Sequence, residues 1–196
     1  EEDVVAATRT AMFTHRETTA HQGAEFFARV AFRVAHSGQT PRAAIEAVAA
    51  ASPRFVKDKV KQALAKVDEA VTGPLRHEEF ADDLALTSMA RLWEVGKTEP
   101  IKVGKASPTE GTLPGSVYFI VKYNDFAAAA TANAMVGGDS ASRAVAIGTV
   151  LGAASGIEGI PADWRDTFVD YQRYDRLLNT LPALRAAKRV AKRSDL

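Results

Sequence analysis

The sequence contains no cysteine, which excludes disulfides, thiolate metal ligands and cysteine nucleophiles, and with them a disulfide-stapled secreted scaffold. Net charge is also nearly absent: 25 basic against 24 acidic residues leave a formal +1. That provides no global field to attract nucleic acid or an anionic membrane, so any charge-driven binding has to be local. No apolar run approaches the roughly 20 residues needed to cross a bilayer, and the acidic start Glu1-Glu2-Asp3 is the opposite of a signal peptide's basic and then apolar start. The chain therefore reads as intracellular and cytoplasmic, with no membrane partner. It begins without methionine, directly in helical sequence, which suggests a processed or trimmed product of a longer chain.

What is present is apolar and rich in alanine. With 46% apolar and 25% charged residues among 196, the composition suits a single globular domain over residues 1–196, large enough to bury a core. Apolar residues recur at three- and four-residue spacings and β-branched alternation is scarce, so the spacing predicts an all-α chain with strands few or absent. Helices are expected over Asp3–Met12 and, after the capping candidates Thr18 and Thr19, over Ala20–Ala35 with Phe26, Phe27, Val30 and Val34 inside. Thr40-Pro41 opens a helix to Ala51, and Ser52-Pro53 repeats the cap-plus-proline device for a helix to Val71. A helix from Glu78 to Val95 would bury Phe80, Leu84, Met89 and Leu92. Lys97–Thr112 reads as the one long loop. Further helices are expected over Pro114–Tyr123, Phe126–Val136, Ser140–Ser155, Ala162–Phe168 and Tyr171–Leu181.

One segment stands apart: Ala134-Met135-Val136-Gly137-Gly138-Asp139-Ser140-Ala141-Ser142-Arg143. Two glycines allow a tight turn, and Asp139 can cap the following helix by reaching the free amide near Ser142. The first turn of that helix offers unpaired N–H groups and partial positive charge, and Arg143 adds a full charge one turn in. Gly137, Gly138 and Arg143 are accordingly the candidate ligand-binding residues, for a phosphate or the pyrophosphate of an ADP-ribose-like molecule. Asp139 opposes this, because a carboxylate at the cap competes for the same amides.

Gly137-Gly138-Asp139, a small hydroxyl residue, an apolar helix through Gly152-Ala153 to Gly156, and then Ile160-Pro161 and Trp164 resemble the C-terminal signature of the ADP-ribosylglycohydrolase/crystallin J1 family. The resemblance is specific over Leu113–Trp164 and loose elsewhere, including Thr14-His15-Arg16. It implies an orthogonal multi-helix all-α fold of which this chain is the C-terminal part, with the N-terminal portion missing: removed, supplied by a separate chain, or left out here. It also implies two magnesium ions held between helices and cleavage of the bond joining ADP-ribose to a protein side chain or related acceptor. Asp139 falls on the family's first metal-binding aspartate and Ser142 on its closing hydroxyl ligand. Ala141 stands where a second aspartate is expected, a variant resembling the Gly-Gly-Asp-x-Ala-Ser-Arg branch of crystallin J1-like members.

The chemistry of that departure follows from charge. Magnesium is anchored by one or two carboxylates plus phosphate oxygens, so a methyl group in place of a carboxylate removes a main anchor. Arginine cannot lose its proton, and Arg143 opposes a cation nearby. The residues therefore argue against the magnesium site that the resemblance implies, and two functional readings stand: a glycohydrolase-like enzyme, or a non-catalytic structural or ligand-binding module of crystallin type.

Other residues carry less. His15, His21, His36 and His77 have no zinc-like spacing. Asp82-Asp83 reads as a solvated helix face. Glu99 and Glu110, both assigned to the long loop, could serve as acids but nothing fixes their geometry. Tyr118, Phe119, Tyr123 and Phe126 could stack an adenine, but the spacing of Phe119, Tyr123 and Phe126 reads as a core stripe instead. The basic tail Arg185–Arg193 lacks interleaved aromatics and reads as a solvated helical end rather than a nucleic-acid site. Ile160 and Trp164 are expected to pin the Gly156–Pro161 turn, with Trp164 buried.

Overall fold

The computed structural model describes residues 1–89, 98–99 and 105–182, together with the backbone of 91–92 and 101–102. These form two compact units, Glu1–Gly159 and Ile160–Leu196. The first unit contains α1 (Glu2–Ala11), α2 (Thr18–Ser37), α3 (Pro41–Ala51), α4 (Arg54–Val71), α5 (Ala81–Met89), α6 (Thr109–Tyr123), α7 (Phe126–Val136) and α8 (Ser140–Ser155). Short 3₁₀ turns lie at Pro74–His77 and Ile157–Gly159. The fold is all-α, relieved among the described residues by a two-residue antiparallel pair, Arg91–Leu92 with Ile101–Lys102.

Helix α6 is the axis of the first unit. Every residue from Leu113 to Ile120 is buried, the pattern of a helix enclosed on all sides rather than lying on a surface. It packs against α4, α8, α7, α5, α2 and α3. Phe119 is fully inside, its ring stacks on Tyr123 with centroids 6.2 Å apart, and Tyr123 and Phe126 pack half-buried against the core, as the spacing of these three indicates; Tyr118, outside that stripe, is fully inside as well. Around this axis α1 packs on α2, and α7 and α8 form an antiparallel-type hairpin across the two glycines. Val30 of α2, Val60 of α4 and Val150 of α8 fill the surrounding layer.

Several local expectations change. Helix α6 begins at Thr109, a turn and a half before Pro114, which sits inside it. The missing N–H costs one ladder bond, to the carbonyl of Glu110. Thr109 and Leu113 lie close against Gly23 of α2, and this packing retains the extra turn, so Glu110 stands on a helix rather than in a loop. Glu17, not Thr18 or Thr19, caps α2, accepting from the Ala20 amide at 2.8 Å. Ser52 hydroxyl donates back to the Val48 carbonyl at 2.8 Å, leaving Pro53 as the uncapped N-terminal boundary of α4.

The largest change is in α5. It runs only from Ala81 to Met89, and its buried face is Ala85, Leu86 and Met89, while Phe80 and Leu84 are exposed. The cause is Asp82, which points inward: positions 82, 85, 86 and 89 make one helical stripe, and reading Asp82 as solvated rotates the expected face away from the real one. The side chain of Leu92 and the tail Arg185–Arg193 lie outside the described residues.

The second unit contains α9 (Ala162–Thr167) and α10 (Tyr171–Leu178). Trp164 is 39% exposed, so it is not the buried anchor expected of it. Phe168 and Tyr174 rings meet at 5.8 Å within this unit. No helix of the described residues is long and apolar enough to cross a membrane.

Candidate ligand-binding turn

Asn133 near the end of α7, the Gly137-Gly138 turn and the first residues of α8 come together around Arg143. Gly137 and Gly138 have φ of +72° and +69°, a conformation that L side chains rarely adopt. At Gly138 the requirement is doubled, because a Cβ there would penetrate the Cβ and carbonyl oxygen of Lys105. The tight approach lets the Asp139 amide donate to the Lys105 carbonyl at 2.7 Å.

Asp139 then caps α8. One carboxylate oxygen accepts from the Ser142 amide at 3.0 Å and the other from the Ser142 hydroxyl at 2.7 Å. The Ser142 hydroxyl is the chief reason that the carboxyl lies below the usual carboxylate range, followed by the Ser142 amide and the Ser107 hydroxyl. This helix start thus carries its own anion.

Arg143 does not project into solvent at the turn. It is 1% exposed, with Nε donating to Asn133 Oδ1 at 2.6 Å, one terminal nitrogen to the Gly137 carbonyl at 2.6 Å and the other to the Lys105 carbonyl at 3.4 Å. Its Cδ lies 3.0 Å from where a Cβ on Gly115 of α6 would stand, so a helix-interior glycine makes room for the arginine stem. Burial holds the guanidinium below its ordinary pKa, with the charge of Asp139 acting the other way; arginine stays protonated all the same. The cation is internal to the fold, satisfied by amide oxygens.

Of the residues singled out in the sequence, Gly137, Gly138, Asp139 and Ser142 meet at one turn. Arg143 lies beneath them as an internal brace, and Ala141 is exposed with no polar group to offer. The donor set does not fit a pair of magnesium ions. Asp139 is the motif's one carboxylate, both of its oxygens serve Ser142, and the nearest buried charge is a cation. Among the described residues no group of three or more His, Asp or Glu side chains could hold a metal ion.

Behind the turn lies an open hollow of about 620 Å³ lined in part by Arg76, Asp82, Asp83, Lys105, Tyr123 and Met135. Asp82 is half-buried on its wall, accepting from Tyr118 at 2.7 Å, from Tyr123 at 2.6 Å and from the Lys122 ammonium. Burial works to raise this carboxyl, but the bonds from Lys122, Tyr123 and Tyr118 outweigh it and the group lies below its ordinary value. Both phenols are pushed up, first by burial, then by the hydrogen bond each gives Asp82 and by the Asp82 charge. The Asp82-Asp83 pair is therefore no solvated face: Asp82 anchors α5 to α6, and Asp83 meets the Lys105 ammonium at 2.5 Å.

Sequence reasoning missed Lys105 and Asn133 and read Asp82 as solvated. Asn133 could have been found, since it lies ten residues before Arg143 across a two-glycine turn, a spacing that sets two hairpin helices side by side. For Lys105, in a segment read as loop, no comparable signal existed.

The comparisons with known proteins bear on what this turn belongs to. No curated protein and no solved structure matches the chain. The family model described as ADP-ribosylglycohydrolase matches residues 1–193, far beyond the Leu113–Trp164 segment whose motifs carry the resemblance. The chain belongs to the ADP-ribosylglycohydrolase family.

Proposed function

We propose that this chain binds an ADP-ribosyl or related nucleoside-ribosyl group at the Gly137–Ser142 turn, and that it does so without the paired magnesium ions of a hydrolytic member. The observation that carries the reading is the burial of Arg143 under a turn that keeps both glycines and the capping aspartate. A fixed internal cation takes over part of the work of organising the turn, while Ala141 withdraws a carboxylate. Compared with a site bearing two aspartates and no arginine, the local charge is more positive by two units, a change that favours an anionic ligand over a divalent cation. Gly137, at positive φ with no atom within 4 Å of where a Cβ would stand, leaves its backbone open to close approach, while the Gly138 side is taken by Lys105. Arg143 contributes by shaping the turn rather than by touching the ligand, since its N–H groups are spent on Asn133, Gly137 and Lys105.

The test is an NMR titration with ADP-ribose. The reading expects the amides of Gly137, Gly138, Ala141 and Ser142 to shift together and saturably, in EDTA as well as in magnesium. Shifts confined to other surfaces, or release of ADP-ribose from an ADP-ribosylated peptide in magnesium, would overturn it. No response anywhere would select the non-catalytic structural module of crystallin type, to which the internal use of Arg143 also lends support.

A further inference from the structure

Lys105 touches both helix ends that flank the turn, each with the group whose charge suits that end. Its ammonium donates to the Val136 carbonyl at 2.7 Å, one of the last carbonyls of α7, which have no partner within the helix. That is also the negative end of the α7 dipole, where a cation is favoured. Its own carbonyl accepts from the Asp139 amide at 2.7 Å and from Arg143 at 3.4 Å, serving the opposite, positive end of the pair at the start of α8. The ammonium is in turn held by Asp83 of α5 at 2.5 Å.

The turn needs such a brace from outside. Its own backbone bonds are short-range, Gly137 amide to Ala134 carbonyl at 3.1 Å and Ser140 amide to Gly138 carbonyl at 2.9 Å. Two successive left-handed glycines lose more chain entropy on ordering than other residues would. The Asp139 amide, central to the turn, is paired only with Lys105 among the bonds described above. Lys105 also abuts Gly138 so closely that no side chain fits between them.

We infer that Lys105 is a positioning residue of the Gly137–Ser142 turn, acting from outside it as Arg143 acts from beneath, and that the Asp83–Lys105 pair sets how firmly the turn is held in its ligand-receiving shape. The ligand part of this inference rests on the reading of the turn as the binding face. The holding part stands on the ligand-free geometry alone. Lys105 is a third exposed and Asp83 nearly half, so the pair is open to solvent, and salt weakens it.

The experiment uses the full chain and its Lys105→Met, Lys105→Arg and Asp83→Asn variants, with two readouts. The first is amide hydrogen exchange without ligand. Losing a charge-assisted bond at the end of α7 should speed exchange of the Asp139 and Ser142 amides by roughly tenfold in Lys105→Met, less in Asp83→Asn, while amides of α2 and α4 keep their protection. Lys105→Arg should restore most of it. The second readout is ADP-ribose affinity by calorimetry, expected to weaken by roughly the same factor in Lys105→Met and to recover in Lys105→Arg. Unchanged exchange at Asp139 in Lys105→Met, or faster exchange there matched by equal loss in α2 and α4, overturns the positioning role. A wild-type chain that binds no ADP-ribose overturns the functional reading instead, and the exchange result then decides the positioning role by itself.

Discussion

Arg143 Nε donates a 2.6 Å hydrogen bond to Oδ1 of Asn133, a residue on the preceding helix, while the Asn133 amide nitrogen donates to the Ser140 carbonyl at 2.9 Å. One amide side chain thus links the guanidinium to the first turn of α8, and both partners are buried. Replacing the arginine orphans Asn133 Oδ1 and the Gly137 carbonyl together. Arg143→Met, which keeps much of the stem's volume, should cost roughly 2–5 kcal/mol from one buried acceptor and one half-buried acceptor left unpaired. Urea unfolding of Arg143→Met, Asn133→Leu and the double variant checks it: the double variant should be less destabilised than the sum of the singles by about 1–3 kcal/mol. Strict additivity would show that the bond contributes nothing.

Gly138→Ala introduces a Cβ at φ +69° against Lys105. It should destabilise by roughly 1–3 kcal/mol from backbone strain, with the collision adding to that. Gly137→Ala meets no neighbouring atom and should suffer from the backbone term alone. Thermal unfolding of the two variants should therefore rank Gly138→Ala as the worse.

Asp82 makes a prediction about pH. Its carboxyl lies below the ordinary value in the folded chain, so the unfolded chain binds the proton first. The stabilisation is complete above the unfolded value near 4 and is lost as pH falls through the lower folded one. Asp82→Asn should remove that part of the acid sensitivity. Tyr118 and Tyr123 shift upward, so their contribution is intact below about 10 and falls away as pH rises further. Alkaline absorbance should show these two phenols ionising late, and Asp82→Asn should bring Tyr123 earlier.

How far the sequence disclosed this arrangement depended on whether a residue's partner was local. The Thr40-Pro41 start, the Phe126–Val136 helix and the Ser140–Ser155 helix with its Asp139 cap follow from neighbours within a few positions, and all are found as read. Helix α5 departs from the face its periodicity predicts because Asp82 finds its partners about 40 residues away on α6, and no periodicity distinguishes an inward aspartate with three donors from a solvated one. Arg143 is the same case at the turn. Its charge was visible, but its direction was set by Gly115 on α6, which leaves room for the stem, and by carbonyls at Lys105 and Gly137. The glycines themselves were legible, because positive φ is a local demand; that Lys105 occupies the space above Gly138 was not.

The ligand binding proposed for the Gly137–Ser142 turn requires no magnesium. Calorimetric titration of ADP-ribose into the chain and into Asp139→Asn, each in EDTA and in excess magnesium, tests this most directly. Binding should have the same affinity with and without the metal, and be equal or tighter in Asp139→Asn, where a competing negative charge is gone. Binding that appears only with magnesium and is abolished by Asp139→Asn would contradict it and place a metal between ligand and protein.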